Sequence, residues 1–228
     1  MKTALVTGAN KGIGFEIARE LAENKFLVFL FARNSEKGNK AVEVLKKKGL
    51  NVEFLEMDVS DKESIGHASG EFKSRSKDLD VLVNNAAILI DQDDITKLEP
   101  DIFQKTFNTN TAGPFLVIRE FLQFMKKGSR IINISSDSGS LHRMGSKTPA
   151  YSISKTALNA VTRQFAAALK GKRIAVNSVH PGWVRTDMGG LIAPRSLKKG
   201  AETPVWLATE APLELTGKYL FDKKEMEW

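Results

Sequence analysis

With 228 residues, 42% of them hydrophobic and 27% charged, the chain is long enough to bury its own core as one large α/β domain or two small ones. It contains no cysteine, which excludes a disulfide framework, thiol catalysis and cysteine-ligated zinc and fits a reducing compartment. The formal net charge of +7 invites a nucleic-acid role. The basic residues are dispersed, however, with small clusters only at Lys46–Lys48, Lys126–Lys127 and Lys198–Lys199, so no nucleic-acid partner is expected. His67, His142 and His180 are scattered without metal-ligand spacing, and no metal is expected. The first residues run straight into an apolar strand with no signal-peptide pattern, and the longest apolar run, Phe26–Ala32, is too short to cross a bilayer. The expectation is a soluble, cytoplasmic chain without a membrane partner.

In chain order, Ala4–Val6 reads as a first strand and runs into Thr7-Gly8-Ala9-Asn10-Lys11-Gly12-Ile13-Gly14, after which a helical period covers Gly14–Glu23. Between strand and helix, glycines permit a tight turn and a close approach of backbone to a pyrophosphate. The helix N-terminus then offers free amides and the positive end of its dipole. Gly8, Asn10, Lys11, Gly12, Ile13 and Gly14 are therefore candidate cofactor-binding residues. The spacing G-x-x-x-G-x-G is neither the general G-x-G-x-x-G fingerprint nor a P-loop, so its weight comes from the strand–turn–helix context.

The second strand, Phe26–Ala32, leads to Arg33 and Asn34, with no acid anywhere from Phe26 to Ser35. A carboxylate there would hold the ribose 2′-hydroxyl of NAD, whereas an arginine fork suits a 2′-phosphate. Lys11 in the glycine turn adds a second cation, and the pair points to NADPH/NADP+.

A helix over Ala41–Lys48, strands at Val52–Leu55 and Val81–Val83, and one long helix over Phe103–Lys126 follow. Next come a strand at Arg130–Ile134, a helix over Ala150–Lys170 and a strand at Ile174–Val179. Near-continuously apolar strands alternating with helices imply a parallel sheet covered on both faces and wound by right-handed crossovers. That is a Rossmann-type doubly wound α/β fold, read as a single domain over 1–228.

The fifth strand ends in Ser135-Ser136, and the following helix opens with Tyr151-Ser152-Ile153-Ser154-Lys155. Spacing i, i+4 puts Tyr151 and Lys155 on one helix face. A tyrosine ordinarily titrates at about 10, and a neighbouring ammonium is expected to lower that value and poise the hydroxyl for proton exchange. Ser136 can donate to a carbonyl oxygen that gains charge during hydride transfer. No histidine–acid pair accompanies the serines, so a serine-hydrolase reading is poor.

Together, TGANKGIG, DVLVNNAA, NTNTAGPF, IINISS, YSISK and HPGWVRTDM resemble the classical short-chain dehydrogenase/reductases over essentially the whole chain, from Thr7 to the C-terminal strand. NKGIG, the Ala32-Arg33 ending of strand two, GAETPV after PGWVRTDM and the closing Trp228 are most similar to the NADPH-dependent carbonyl reductases. The resemblance implies a catalytic tetrad. Tyr151 would donate the proton, Ser136 position the carbonyl, Lys155 bind the nicotinamide ribose and tune Tyr151, and Asn110 anchor a proton-relay water. It further implies that Asp58 and Val59 meet the adenine, Asn85 and Ala86 the adenosine ribose region, and Pro181, Gly182, Val184 and Thr186 the carboxamide.

The expected function is reduction of a ketone, aldehyde or quinone by hydride transfer from NADPH, with a cofactor half over about 1–135 and a catalytic and substrate half over about 136–228. Alternatives on the same fold are an alcohol or steroid dehydrogenase working in the oxidising direction and a non-catalytic NADP(H) sensor. A complete tetrad argues against the sensor, and Arg33 with Lys11 against an NAD-linked oxidiser. Three departures stand out. Ala87 replaces a glycine, Asn34 stands where relatives often carry an acid, and only 14 residues separate Ser136 from Tyr151, so a long insertion of some carbonyl reductases is missing.

Expected substrate walls are Leu89, Ile90, Leu141, His142, Met144, Trp183 and residues 188–197, with Gly189-Gly190 as hinges of a lid. The resemblance also implies pairing through the helices over Pro100–Lys126 and Pro149–Lys170. Without the insertion, Ala157, Leu158, Val161, Phe165, Ala168 and Leu169 would offer an apolar face for a homodimer or homotetramer.

Overall fold

Among residues 1–91 and 94–228, which the computed structural model describes, the apolar runs pair into one eight-stranded sheet. The strands are β1 (Thr3–Thr7), β2 (Leu27–Ala32), β3 (Val52–Glu56), β4 (Leu79–Asn84), β5 (Met125–Ile134), β6 (Ala175–Val179), β7 (Tyr219–Phe221) and β8 (Lys224–Glu225). Their order is β3-β2-β1-β4-β5-β6-β7-β8, parallel throughout except for the β7–β8 pair. The helices are α1 (Gly12–Glu23), α2 (Ser35–Lys46), α3 (Lys62–Arg75), α4 (Pro100–Phe107), α5 (Gly113–Phe121), α6 (Pro149–Leu169) and α7 (Leu197–Thr209). Strand order reverses between β1 and β4, and in an open α/β sheet that crevice, at the carboxyl ends of the strands, is where ligands bind.

Strand alternation sorts the core into two layers. Ala4, Val6, Val28 and Leu30 face α1 and α7, where they join Ile17, Leu21 and Val205. Leu5, Phe29 and Phe31 face the opposite way, toward Phe72 of α3 and Phe121 of α5. The phenylalanines on this side meet edge to face, with ring centroids 5.0 Å apart for Phe29–Phe72 and 5.6 Å for Phe72–Phe121.

Three boundaries differ from the expected ones by more than two residues. The single helix expected over Phe103–Lys126 is broken into α4, a π-helical turn at Asn108–Ala112, α5 and a 3₁₀ turn, and Met125 and Lys126 belong to β5. A Cβ on Gly113 would lie 2.7 Å from the Val59 carbonyl oxygen, so α5 approaches the β3 loop closely at its first residue. Pro114 follows with no N–H to give the carbonyl four residues back, that of Asn110. β5 starts earlier than Arg130 because Met125 pairs with Leu79 ahead of an irregularity. α2 starts at Ser35, since the Asn34 side chain caps it by accepting from Lys37 N at 2.8 Å; this is a use for the departure at Asn34.

Candidate active site

The crevice holds a cavity of about 860 Å³. The turn after β1 lines it with Gly8, Asn10, Lys11, Gly12 and Ile13, the end of β2 with Arg33, and the end of β3 with Asp58 and Val59. The exit of β4 adds Asn85, Ala86 and Ala87, the exit of β5 adds Ser136, α6 adds Tyr151 and Lys155, and the exit of β6 adds Pro181, Gly182, Val184 and Thr186. Of the expected catalytic and cofactor-binding residues, Gly14 and Asn110 stand behind the wall instead of in it.

Gly8 adopts φ +62°, and a Cβ there would lie 2.8 Å from the Ala86 Cα. Asn85 fastens the turn: its Nδ2 donates to the carbonyls of Thr7 at 3.0 Å and Gly8 at 3.1 Å. Gly14 is a packing residue, since a Cβ on it would come within 2.3 Å of that same Nδ2. No side chain caps α1 at Lys11, so its first amides are left for a ligand. An uncapped helix end beside backbone that admits no Cβ fits the phosphates of a dinucleotide. Lys11 is not the free cation expected: its Nζ pairs at 2.5 Å with Asp187, which that pairing holds below its usual carboxylate range. Both side chains are well exposed, so the pair is weak and open to exchange for a phosphate.

On the opposite wall, α6 begins after Thr148, whose side chain makes no cap. Asp91, buried, supplies one from the loop after β4, its Oδ2 accepting from Ala150 N at 2.7 Å. Tyr151 and Lys155 then face the cavity one helical turn apart, at 8% and 2% exposure. Lys155 Nζ donates to the Ile134 carbonyl at 2.7 Å and lies 5.6 Å from the centroid of the Tyr151 ring. The expected lowering of the tyrosine is reversed. Burial pushes Tyr151 up to about 12, with the charge of Asp137 adding to it and the Ser136 hydroxyl opposing it. Burial also pushes Lys155 down to about 7, so desolvation outweighs the mutual help of the pair. Asn110 is fully buried in the π turn, where its Oδ1 accepts from Ile88 N at 2.8 Å and its Nδ2 donates to the Ile88 carbonyl at 2.8 Å and to Ser154 Oγ at 3.0 Å.

Residues 2–196 match the family described as short chain dehydrogenase. The chain belongs to that family. Among its relatives, carbonyl reductase [NADPH] 1 of Sus scrofa is 35% identical over 277 residues, covering 100% of this chain and 94% of the relative. Carbonyl reductase [NADPH] 3 of Mus musculus is 34% identical over 274, covering 100% and 98%. Both alignments are longer than the 228 residues of this chain, so these relatives carry segments it lacks. Among solved structures, the NADPH-bound carbonyl reductase from chicken fatty liver superposes with a TM-score of 0.91 at 26% identity, covering 100% of this chain and 99% of that one. Carbonyl reductase Sniffer of D. melanogaster gives 0.91 at 28%, covering 100% of both.

In this short-chain dehydrogenase the segment 183–195 is closed at its base, where Arg195 N donates to the Trp183 carbonyl at 3.2 Å and Arg185 N to the Arg195 carbonyl at 3.0 Å. Gly189 is no hinge. A Cβ there would meet the Val184 carbonyl oxygen at 2.1 Å, and Trp183 Nε1 donates to the Gly189 carbonyl at 2.7 Å, so the glycine serves a tight, fastened turn. Of the expected substrate walls, Leu89, Trp183, Met188, Gly189 and Leu197 line the cavity, and residues 190–196 do not. Ile90, Leu141 and His142 do not, and Met144 lines a separate small cavity with Ile95 and Ile153. His180 also lines the main cavity; its signal in the sequence was its place directly before Pro181-Gly182 at the exit of β6. The cap at Asp91 had no local signal, because it lies far from α6 in the chain.

Proposed function

We propose that the chain is an NADPH-dependent carbonyl reductase acting on a small ketone, aldehyde or quinone, with Tyr151 as proton donor. One observation carries the reading: Ser136 and Tyr151 line the same cavity as Gly8, Gly12 and Arg33, from which they are remote in sequence. That it occurs in a chain whose relatives are named NADPH carbonyl reductases adds support. The turn from Gly8 to Ile13 and the uncapped end of α1 would hold a pyrophosphate. Arg33 would hold a 2′-phosphate, joined by Lys11 when it leaves Asp187. Asp58 and Val59 would meet the adenine, Asn85 and Ala86 the adenosine ribose, Lys155 the nicotinamide ribose, and Pro181, Gly182, Val184 and Thr186 the carboxamide. When bound, NADPH supplies the hydride.

The protein's own part is positioning and proton transfer. Ser136 Oγ–H donates to the substrate carbonyl oxygen, and the proton on Tyr151 Oη passes to that oxygen as it gains charge. A phenol held up to about 12 is protonated near neutrality, the form an acid needs and the wrong form for the base of an oxidation. Asn110, the fourth member of the tetrad, stands behind the other three, bonded to Ile88 and Ser154, and would anchor a proton-relay water.

The same proposal divides the chain into a cofactor half over about 1–135 and a catalytic half over about 136–228, and takes the molecule as a cytoplasmic homodimer or homotetramer. The cysteine-free composition fits a reducing compartment, and no described helix is long and apolar enough to cross a membrane. Phe115 on α5 is 38% exposed with its ring 5.8 Å from Phe165 on α6, an apolar surface that suits an interface.

The test is turnover of a panel of carbonyl compounds with NADPH and with NADH. NADPH should be preferred, and Arg33→Ala should raise its KM while leaving that for NADH nearly unchanged. Tyr151→Phe should fold and bind NADPH but lose about 10²–10⁴-fold in kcat, the usual worth of general acid catalysis; a loss below about tenfold ends the assignment.

A further inference from the structure

Two buried side chains that the proposed tetrad leaves out grip opposite ends of one peptide group, the one joining Ser136 to Asp137. The Tyr219 hydroxyl, on β7, donates to the Ser136 carbonyl. On the other side of the same C–N bond, the Asp137 N–H donates to His180 Nδ1 at 3.1 Å. His180 Nδ1 also accepts from Gly182 N at 3.3 Å, so the ring nitrogen facing the peptide is the unprotonated one and Nε2 carries the proton.

Neither partner is free to swing aside. Tyr219 is 1% exposed and stacks on Trp228 with centroids 5.5 Å apart, and His180 is 9% exposed and stacks on Phe221 at 4.8 Å. The Ser136 carbonyl also accepts from Gly139 N at 2.9 Å, so the peptide is held at three points. Ser136 has left the strand, with φ −159° and ψ 155°, and leads into a single 3₁₀ turn at Asp137–Gly139. A peptide group is planar, so fixing its oxygen and its nitrogen together fixes the orientation of the plane. That orientation places the turn that follows, and the turn holds the Ser136 side chain: Ser138 N donates to Oγ at 3.3 Å, and Oγ donates to Asp137 Oδ1 at 3.2 Å.

We infer that His180 and Tyr219 are positioning residues for the reduction, acting through the Ser136–Asp137 peptide to aim the Ser136 hydroxyl at the substrate carbonyl. This rests on the reading of Ser136 as the carbonyl-orienting group. It assigns no contact with substrate to either residue, and it explains why one of the chain's two tyrosines is buried beside the other's site without lining the cavity.

The experiment uses the full chain with NADPH and one carbonyl compound from the panel. Tyr219→Phe removes only the hydroxyl, His180→Leu removes the acceptor, and His180→Asn restores an acceptor oxygen near the place of Nδ1. Tyr219→Phe and His180→Leu should each lower kcat about tenfold, the kinetic equivalent of one hydrogen bond of ordinary strength. The Kd for NADPH, read by quenching of protein fluorescence, should stay within about twofold for Tyr219→Phe, and His180→Asn should recover most of the rate lost in His180→Leu. In a Ser136→Ala background, Tyr219→Phe should cost nothing further, since the group it aims is gone. Equal losses with and without Ser136 would mean that Tyr219 supports the fold alone, and the inference falls. If Ser136→Ala is slow while Tyr219→Phe and His180→Leu keep full rate, the inference also falls but the reading of Ser136 survives. If Ser136→Ala keeps full rate, that reading fails and takes this one with it.

Discussion

Lys155 carries an amine that would ordinarily stay protonated far above neutrality, and enclosure holds it down to about 7. Between that value and its ordinary 10.5 the unfolded chain binds a proton that the folded chain does not, so stability rises with pH across the window. The slope from one such group is at most about 1.4 kcal/mol per pH unit. Tyr151 works in the opposite sense: from 10 up to about 12 the folded chain keeps a proton the unfolded chain has lost, and stability falls with rising pH. Lys155→Met removes the first effect. In urea unfolding, wild type should gain on Lys155→Met between pH 7 and pH 9; parallel values at the two pH settings would show that Lys155 is not held near 7. The spacing of Tyr151 and Lys155 was legible in the sequence, but the direction in which the tyrosine shifts was not. Spacing says which groups are neighbours, whereas the shift is decided by how much water the surrounding chain removes.

Strands were the most readable elements: β2 is an unbroken apolar run, and β1 and β6, buried throughout, keep apolar stretches at Ala4–Val6 and Ala175–Val176. Helix limits were read less well where distant contacts set them. Nothing in the local pattern of residues 103–126 announces that Gly113 must pass close to Val59, or that Met125 pairs with Leu79. α3 carries Gly66 and Gly70, which dilute its helical signal, and β7 is only three residues long. The start of α6 shows the same limit, with a cap that comes from the β4 loop. Asp91→Ala should cost about 1–2 kcal/mol of stability, the usual worth of an N-cap, and should lower turnover too because Tyr151 stands on the first helical turn. Asp91→Asn, which keeps an acceptor, should cost less. Equal unfolding midpoints for wild type and Asp91→Ala would remove the cap from the account.

At the scale of the whole molecule, the face built by α5 and α6 is only partly covered: Phe115 is exposed, Val161 and Phe165 are half-buried, and Ala168 is exposed. Light scattering at micromolar concentration should give two or four times the 25.2 kDa of the chain, and a mass of one chain would end the assembly proposal. Leu158 and Leu169, expected on that face, are buried within the subunit, so the apolar count of the helix overstated what it leaves bare. The sheet also imposes an order in time. Ala4 of β1 is flanked by Val28 of β2 on one side and by Val81 of β4 on the other. A chain leaving the ribosome therefore has β1 and β2 well before β4, the second partner of β1. Until β4 arrives, one edge of β1 offers unpaired amides and carbonyls between two apolar faces, the kind of surface that recruits foreign strands. The middle of the finished molecule is, during synthesis, its most exposed margin.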